Sequence, residues 1–206
     1  MNDAHTHVLF LLRWIHFIAG IIWIGHLYFF NFVNVPFVKT LDADAKKKVI
    51  PQLAPRALFW FRWGAMFTFI SGVLYIIWKI FIATHAGLTG TGGLFTSTWG
   101  KWISFGGFLG TVMWFNVWFI IWPIQKKIIA WTKAGQSPAE MPVLARRAYL
   151  ASRTNTYLSI PMLFGMAAAS HFPTFSIWAV LIASAAGAAI AWHLIKISLK
   201  VGVSST

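Results

Sequence analysis

Apolar residues dominate five stretches of the chain, near 8–33, 57–84, 102–122, 149–171 and 176–198, and polar residues collect between them. A bilayer core about 30 Å thick takes roughly 20 apolar residues of helix, so each stretch predicts one membrane-spanning helix. The expected fold is an all-α integral membrane bundle of five transmembrane helices, with its two termini on opposite sides. The length suits a single transmembrane helical domain over residues 1–206, with no room for a separate soluble domain.

All four acidic residues, Asp3, Asp42, Asp44 and Glu140, fall outside the stretches, whereas several histidines fall inside them. The intramembrane Asp or Glu relay of a proton-coupled transporter is therefore missing. A buried cofactor held by imidazole becomes the leading expectation. Composition agrees with the membrane class: 58% hydrophobic residues, a mean hydropathy of +0.69, 13 Trp and 19 Phe. The absence of cysteine excludes a disulfide, an iron–sulfur cluster and a covalently attached c-type haem.

A net charge of +13 raises the question of nucleic acid, and the placement of the cations answers it. Lys39, Lys46, Lys47, Lys48 and Arg56 lie in the 34–56 segment, and Lys126, Lys127, Lys133, Arg146 and Arg147 in 123–148. Lys196 and Lys200 close the last helix, while the segments on the other side contain only Lys101. This positive-inside pattern sets the amino terminus outside and the carboxyl terminus in the cytoplasm of a bacterial-type inner membrane. The charge serves topology first and attraction to anionic lipid second, and no nucleic-acid partner is expected. No Lys or Arg precedes Arg13 and the first apolar run is too long for a signal-peptide core, so it is expected to be retained.

The segments between the spans carry little chemistry. Gly87–Gly93 follows no strand and lacks the Lys-Ser or Lys-Thr pair of a P-loop, so a flexible external turn is expected. The 42–56 segment, with Pro51 and Pro55, resembles a short interfacial helix ending in a turn. Pro123 and Pro161 lie inside or at the end of helices, where a missing donor frees a carbonyl to bend the helix or face a ligand. The aromatic clusters around Trp14, Trp60 and Trp114 are expected to be mainly lipid-facing or interfacial anchors. Asn116, Asn155 and Ser159 need polar partners inside the bundle, by default across helices.

Depth separates the histidines. His5, His7 and His85 fall at the outer surface, where solvation is the simplest expectation. At about 1.5 Å per residue, His16 sits roughly 13 Å in from the outer end of helix one, with His171 near the outer end of helix four. His26 and His193 share a deeper level, roughly 27 Å from that edge. A b-type haem needs axial nitrogens from facing helices, a flat apolar slot, and cations or hydroxyls for its propionates. His16, His26, His171 and His193 are the candidate iron ligands, for one haem or two. Gly20, Gly72, Gly165 and the Ala183–Gly187 run thin the helices. Arg13 and Lys79 near the outer ends, or Arg62 and Arg153 near the inner ends, supply propionate partners. The competing expectation is that the cations snorkel to headgroups and each histidine bonds a neighbouring carbonyl.

A resemblance extends these expectations. Arg13-Trp14-Ile15-His16, Ala19-Gly20 and Trp23-Ile24-Gly25 resemble the first helix of the membrane-bound urate oxidase (urate hydroxylase) amino-terminal domain family. Trp60-Phe61-Arg62-Trp63 with Ala65 and Thr68, Asn116-Val117, Ile121-Trp122-Pro123 with Gln125, Ser152 with Asn155, and Tyr157–Pro161 continue the match in order. Ser170-His171-Phe172-Pro173 and the His193 helix complete it, so that it covers nearly all of the chain. Longer members are similar to an enzyme that oxidises urate and passes electrons to a fused cytochrome c domain. This sequence contains no CxxCH, so the resemblance implies a separate cytochrome c acceptor. It carries over His16, His171 and His193 as ligand candidates. Two positions depart from the family pattern: Gly64 stands where an acidic residue follows the helix-two tryptophan, and Thr154 where a histidine precedes Asn155.

Three function classes follow. The first is a haem-bearing redox subunit relaying electrons from a quinol or partner dehydrogenase to a cytochrome c, within a larger electron-transfer complex. The second is a cofactor-free accessory subunit that packs against other membrane subunits. The third, implied by the resemblance, is a membrane urate hydroxylase.

Overall fold

The computed structural model describes residues 2–83 and 93–202, with side chains over 4–82 and 93–202. His85 and the 87–92 part of the glycine-rich turn lie outside the described residues. Five long helices account for nearly all of the described chain: α1 (2–40), α2 (43–83), α3 (Thr98–Lys133), α4 (Met141–His171) and α5 (Ile177–Ser198). Successive helices run antiparallel, as their pairings show. Arg13 meets Tyr75 and Phe30 meets Phe61 between α1 and α2, while Gly106 meets Gly165 and Asn116 meets Asn155 between α3 and α4.

Among the described residues, four helices have a stretch long and apolar enough to cross a membrane: Ala4–Thr40, Ala43–Ile82, Thr98–Lys133 and Ile177–Ser198. The fourth expected span, near 149–171, lies in α4 and is more polar than the rest. Its position explains this, because α4 packs against α1, α3 and α5 and is shielded by them. Arg153, Asn155, Thr156 and Ser159 are buried along it, while α1 and α5 expose Phe17, Ile21, Trp178 and Ile182. Four of the buried or partly buried polar contacts run across helices. Asn116 Nδ2 donates to Asn155 Oδ1 at 2.8 Å, and Asn155 Nδ2 donates to the Met113 carbonyl at 3.0 Å. Asn31 Nδ2 donates to Ser152 Oγ at 2.9 Å, and the Tyr28 and Ser159 hydroxyls are 3.0 Å apart. Interhelical bonds of this kind contribute about 0.6–2 kcal/mol each in a membrane, enough to fix α4 in rotation against α1 and α3.

The helices outrun the apolar stretches, and the 34–56 and 123–148 segments are mostly helical. α1 continues to Thr40, the chain turns at Leu41 and Asp42, and α2 begins with Asp42 Oδ1 accepting from the Ala45 N–H at 2.7 Å. The short interfacial helix expected at 42–56 is thus the first part of α2, with Pro51 and Pro55 inside it. At about 1.5 Å per residue, a span of this length is longer than a bilayer core about 30 Å thick. Its basic end therefore extends past the apolar layer.

Proline acts locally in two ways. A π turn at Phe29–Asn34 precedes Pro36, and another at Asn116–Ile121 precedes Pro123. Because proline has no N–H to give, the ordinary ladder is broken there, and the residue before it reaches one carbonyl further back. Val35 N–H bonds the Phe30 carbonyl and Trp122 N–H bonds that of Val117. Pro161 instead seats against α5 at Gly187, where an added Cβ would come within 2.7 Å of its Cδ.

Candidate functional site

His16 lies half-buried on α1, facing α2, with its Nδ1 2.9 Å from the Thr68 carbonyl and 3.4 Å from Ser71 Oγ. A carbonyl only accepts, so in the neutral imidazole Nδ1 carries the proton and Nε2 presents a bare lone pair. Ser71 accepts as well, since its own hydroxyl is directed to the Phe67 carbonyl at 2.6 Å. Anchoring one ring nitrogen on a carbonyl is the usual way a protein orients a metal-binding histidine. Gly72 permits the contact: a Cβ there would stand 3.0 Å from His16 Cε1.

Beside the ring is a cleft of about 380 Å³, within the range of about 300–1,000 Å³ common for small-molecule and cofactor sites. It arises because α2 packs on α3 chiefly along the Trp122–Lys133 part and much less along Thr98–Phe115. Thr68, Phe69 and Gly72 line it from α2, Gly107 and Gly110 from α3, and Met162 and Met166 from α4. Below these, Phe69 stacks on Trp114 with ring centroids 4.3 Å apart and closes the deep end. Trp23, also lining the cleft, is 2% exposed, and its Nε1–H has no hydrogen-bond partner among the described residues. An apolar slot that holds a bare imidazole nitrogen and an unspent indole donor is suited to a flat, mainly apolar group with a Lewis-acid centre.

The proposed cations divide between the two ends. Arg13 donates to the Tyr75 hydroxyl, and its guanidinium lies 5.2 Å from that ring centre. Lys79 Nζ lies 5.9 Å from the same ring and 4.1 Å from that of Trp99. Tyr75 is one turn beyond Gly72, so Arg13 and Lys79 converge at the Tyr75 end of the cleft. Arg62 stacks on Trp122 at 3.7 Å, and Arg153 donates Nε to the Tyr149 hydroxyl at 2.9 Å. Those two belong to the opposite part of the bundle.

The other histidines do not join His16. His26 Nδ1 bonds the Ile22 carbonyl at 2.7 Å, and its ring lines a separate groove between α1 and α2. His171, in the last turn of α4, and His193, on α5, are both exposed. His26 and His193 therefore do not face each other across one cleft, and neither do His16 and His171. No cluster of three or more His, Cys, Asp or Glu side chains occurs among the described residues. His5, expected to be solvated, packs against Trp78 with ring centroids 5.8 Å apart.

Met162, Met166, Trp23 and Tyr75 were not singled out as site residues by the sequence. Spacing gives one clue: Trp23 lies seven residues after His16, on the same helical face. The methionines carry no such signal, because a Met in an apolar span reads as lipid-facing or core until a neighbouring helix is placed.

Comparisons with curated proteins and with solved structures return no match. The sequence profile of the urate oxidase N-terminal family matches residues 93–201, which comprise the end of the 84–97 link, α3, α4 and α5. His171 and His193 fall inside that span, and His16, Arg13 and Lys79 precede it. Over more than half of its length, then, the chain carries the signature of these proteins, and it belongs to the urate oxidase N-terminal family.

Proposed function

We propose that this protein is a haem-binding redox subunit of a bacterial inner membrane, in which His16 Nε2 ligates the iron of a single b-type haem seated between α1, α2, α3 and α4. The observation that carries it is the His16–Thr68 bond at 2.9 Å beside a glycine-thinned apolar cleft, which leaves Nε2 as the free nitrogen. Arg13, Tyr75 and Lys79, gathered at the outer end, would receive the propionates. The bound haem would accept and pass on single electrons. The chain orients its plane, sets its polarity and keeps water from it. One haem fits better than two, because His26, His171 and His193 are dispersed. The basic ends of α1, α3 and α5, with those of α2 and α4, gather at one end of the bundle and support a cytoplasmic placement for it. A separate cytochrome c or other subunits of an electron-transfer complex complete the relay, with lipid on the exposed apolar faces.

A chemical haem assay on protein purified in mild detergent tests this. About one haem per chain is expected; none would remove the proposal in favour of an accessory subunit, and two would require another of the histidines. Membrane urate oxidation is the second reading, favoured by the family match. Against it stands Gly64, where the family resemblance calls for an acidic side chain: an added Cβ would lie 2.9 Å from the Trp23 backbone nitrogen. The α1–α2 seam is closed at that position. Urate loss with added cytochrome c would favour the second reading; no loss in a haem-replete sample would retire it.

A further inference from the structure

The groove that holds His26 is separate from the cleft and is used by nothing described above. It has a volume of about 590 Å³ and lies between α1 and α2, walled by Ile21, Ile22, Gly25, Phe29, Leu53 and Trp60. Its polar members are His26 and Arg56. His26 Nδ1 donates to the Ile22 carbonyl at 2.7 Å, so Nε2 is left as an acceptor. Arg56 spends one N–H on the Gln52 carbonyl at 2.6 Å and keeps the rest of its fork. A Cβ added at Gly25 would meet nothing within 4 Å, so the groove wall is recessed there.

We propose that this groove binds the headgroup of a membrane quinol, with a hydroxyl of the ring donating to His26 Nε2 and Arg56 donating to a ring oxygen. Acceptor and donor lining one apolar groove match a molecule that carries both a hydroxyl hydrogen and oxygen lone pairs on a flat ring. Phe29 and Trp60 offer aromatic walls, and the groove opens on the exposed side of the bundle, where an isoprenoid tail can remain in lipid. The phosphodiester of a lipid headgroup has no hydrogen to give, and a lipid that donates from an ammonium or glycerol hydroxyl instead is separated from the quinol by the displacement arm of the test below. An oxidised quinone, which only accepts, would be bound by Arg56 alone. The groove therefore prefers the reduced form. This binding is independent of the haem assignment.

The test uses the full chain in quinone-free phosphatidylcholine nanodiscs, titrated with a short-tailed ubiquinol and with its quinone under matched conditions. Saturable binding is expected, with the quinol about tenfold tighter, as one additional hydrogen bond to an otherwise unmatched acceptor warrants. His26→Ala should erase that preference and leave the weaker quinone binding in place. Gly25→Leu, which enters open space and raises helix propensity, should abolish both without lowering helicity. A photoreactive quinone should label residues 21–29 and 53–60. Equal affinity for both redox forms, labelling elsewhere, binding unchanged in both variants, or displacement of the probe by phosphatidylglycerol alone would overturn the proposal, the last in favour of a lipid.

Discussion

Replacing His16 by alanine is expected to remove the bound-haem absorption of the purified protein while leaving a folded bundle. The ring sits beside the cleft, and its one hydrogen-bonded nitrogen is held by the Thr68 carbonyl, so truncation removes one interhelical bond at the edge of a void and leaves the rest of the extensive α1–α2 packing in place. If the iron–nitrogen bond contributes about 3 kcal/mol or more, affinity falls by over about 100-fold, and haem is lost during purification. Gly107→Leu is the companion variant. No atom lies within 4 Å of a Cβ at that position, so the new side chain enters the cleft without displacing another helix. It too should yield stable, colourless protein. Retention of the full haem spectrum by both variants would show that the group, if present, sits elsewhere.

Gly165→Leu should cause a large loss of stability. A Cβ at Gly165 would lie 2.9 Å from Phe105 Cδ1 and 3.0 Å from the Gly106 backbone nitrogen, and the reciprocal Cβ at Gly106 would lie 3.1 Å from the Met166 nitrogen. Backbone faces backbone on this seam, so no side-chain rotation relieves the clash and α3 must move away from α4. Overpacking of this kind costs about 1–3 kcal/mol or more. The shift also stretches the Asn116–Asn155 bond that pins the same two helices. A midpoint of SDS-induced unfolding well below that of the parent checks this. A midpoint equal to that of Gly107→Leu would contradict the contrast between a glycine packed on backbone and one facing open space.

Apolar runs mark where the helices lie, although α4 is too polar to count as a span by hydropathy, and they misjudge where the helices end. Thr40, Asp42 and Lys133 lie beyond any apolar layer, and there helix continuation is governed by caps and proline placement. The polarity of α4 was visible in Asn155 and Ser159, and its cause, a central position shielded by its neighbours, became visible only with the packing. The candidate site was half legible. His16, Gly72, Arg13 and Lys79 could be named from residue type and depth. Depth alone also suggested pairing His26 with His193, but equal level says nothing about rotation: His193 is exposed on α5 and is not among the residues lining the groove that holds His26. The methionine wall and the orphan Trp23 donor depend on the opening between α2 and α3, which no single-helix pattern encodes.

The central claim is that His16 ligates a haem in this cleft, and it is tested most directly by the absorption spectrum of the detergent-solubilised full chain, recorded oxidised and then reduced with dithionite. The account predicts the Soret and visible bands of a histidine-ligated b-type haem, shifting on reduction and absent from the His16→Ala protein. A flat difference spectrum from folded, haem-supplemented protein, or an identical spectrum in the variant, would contradict it.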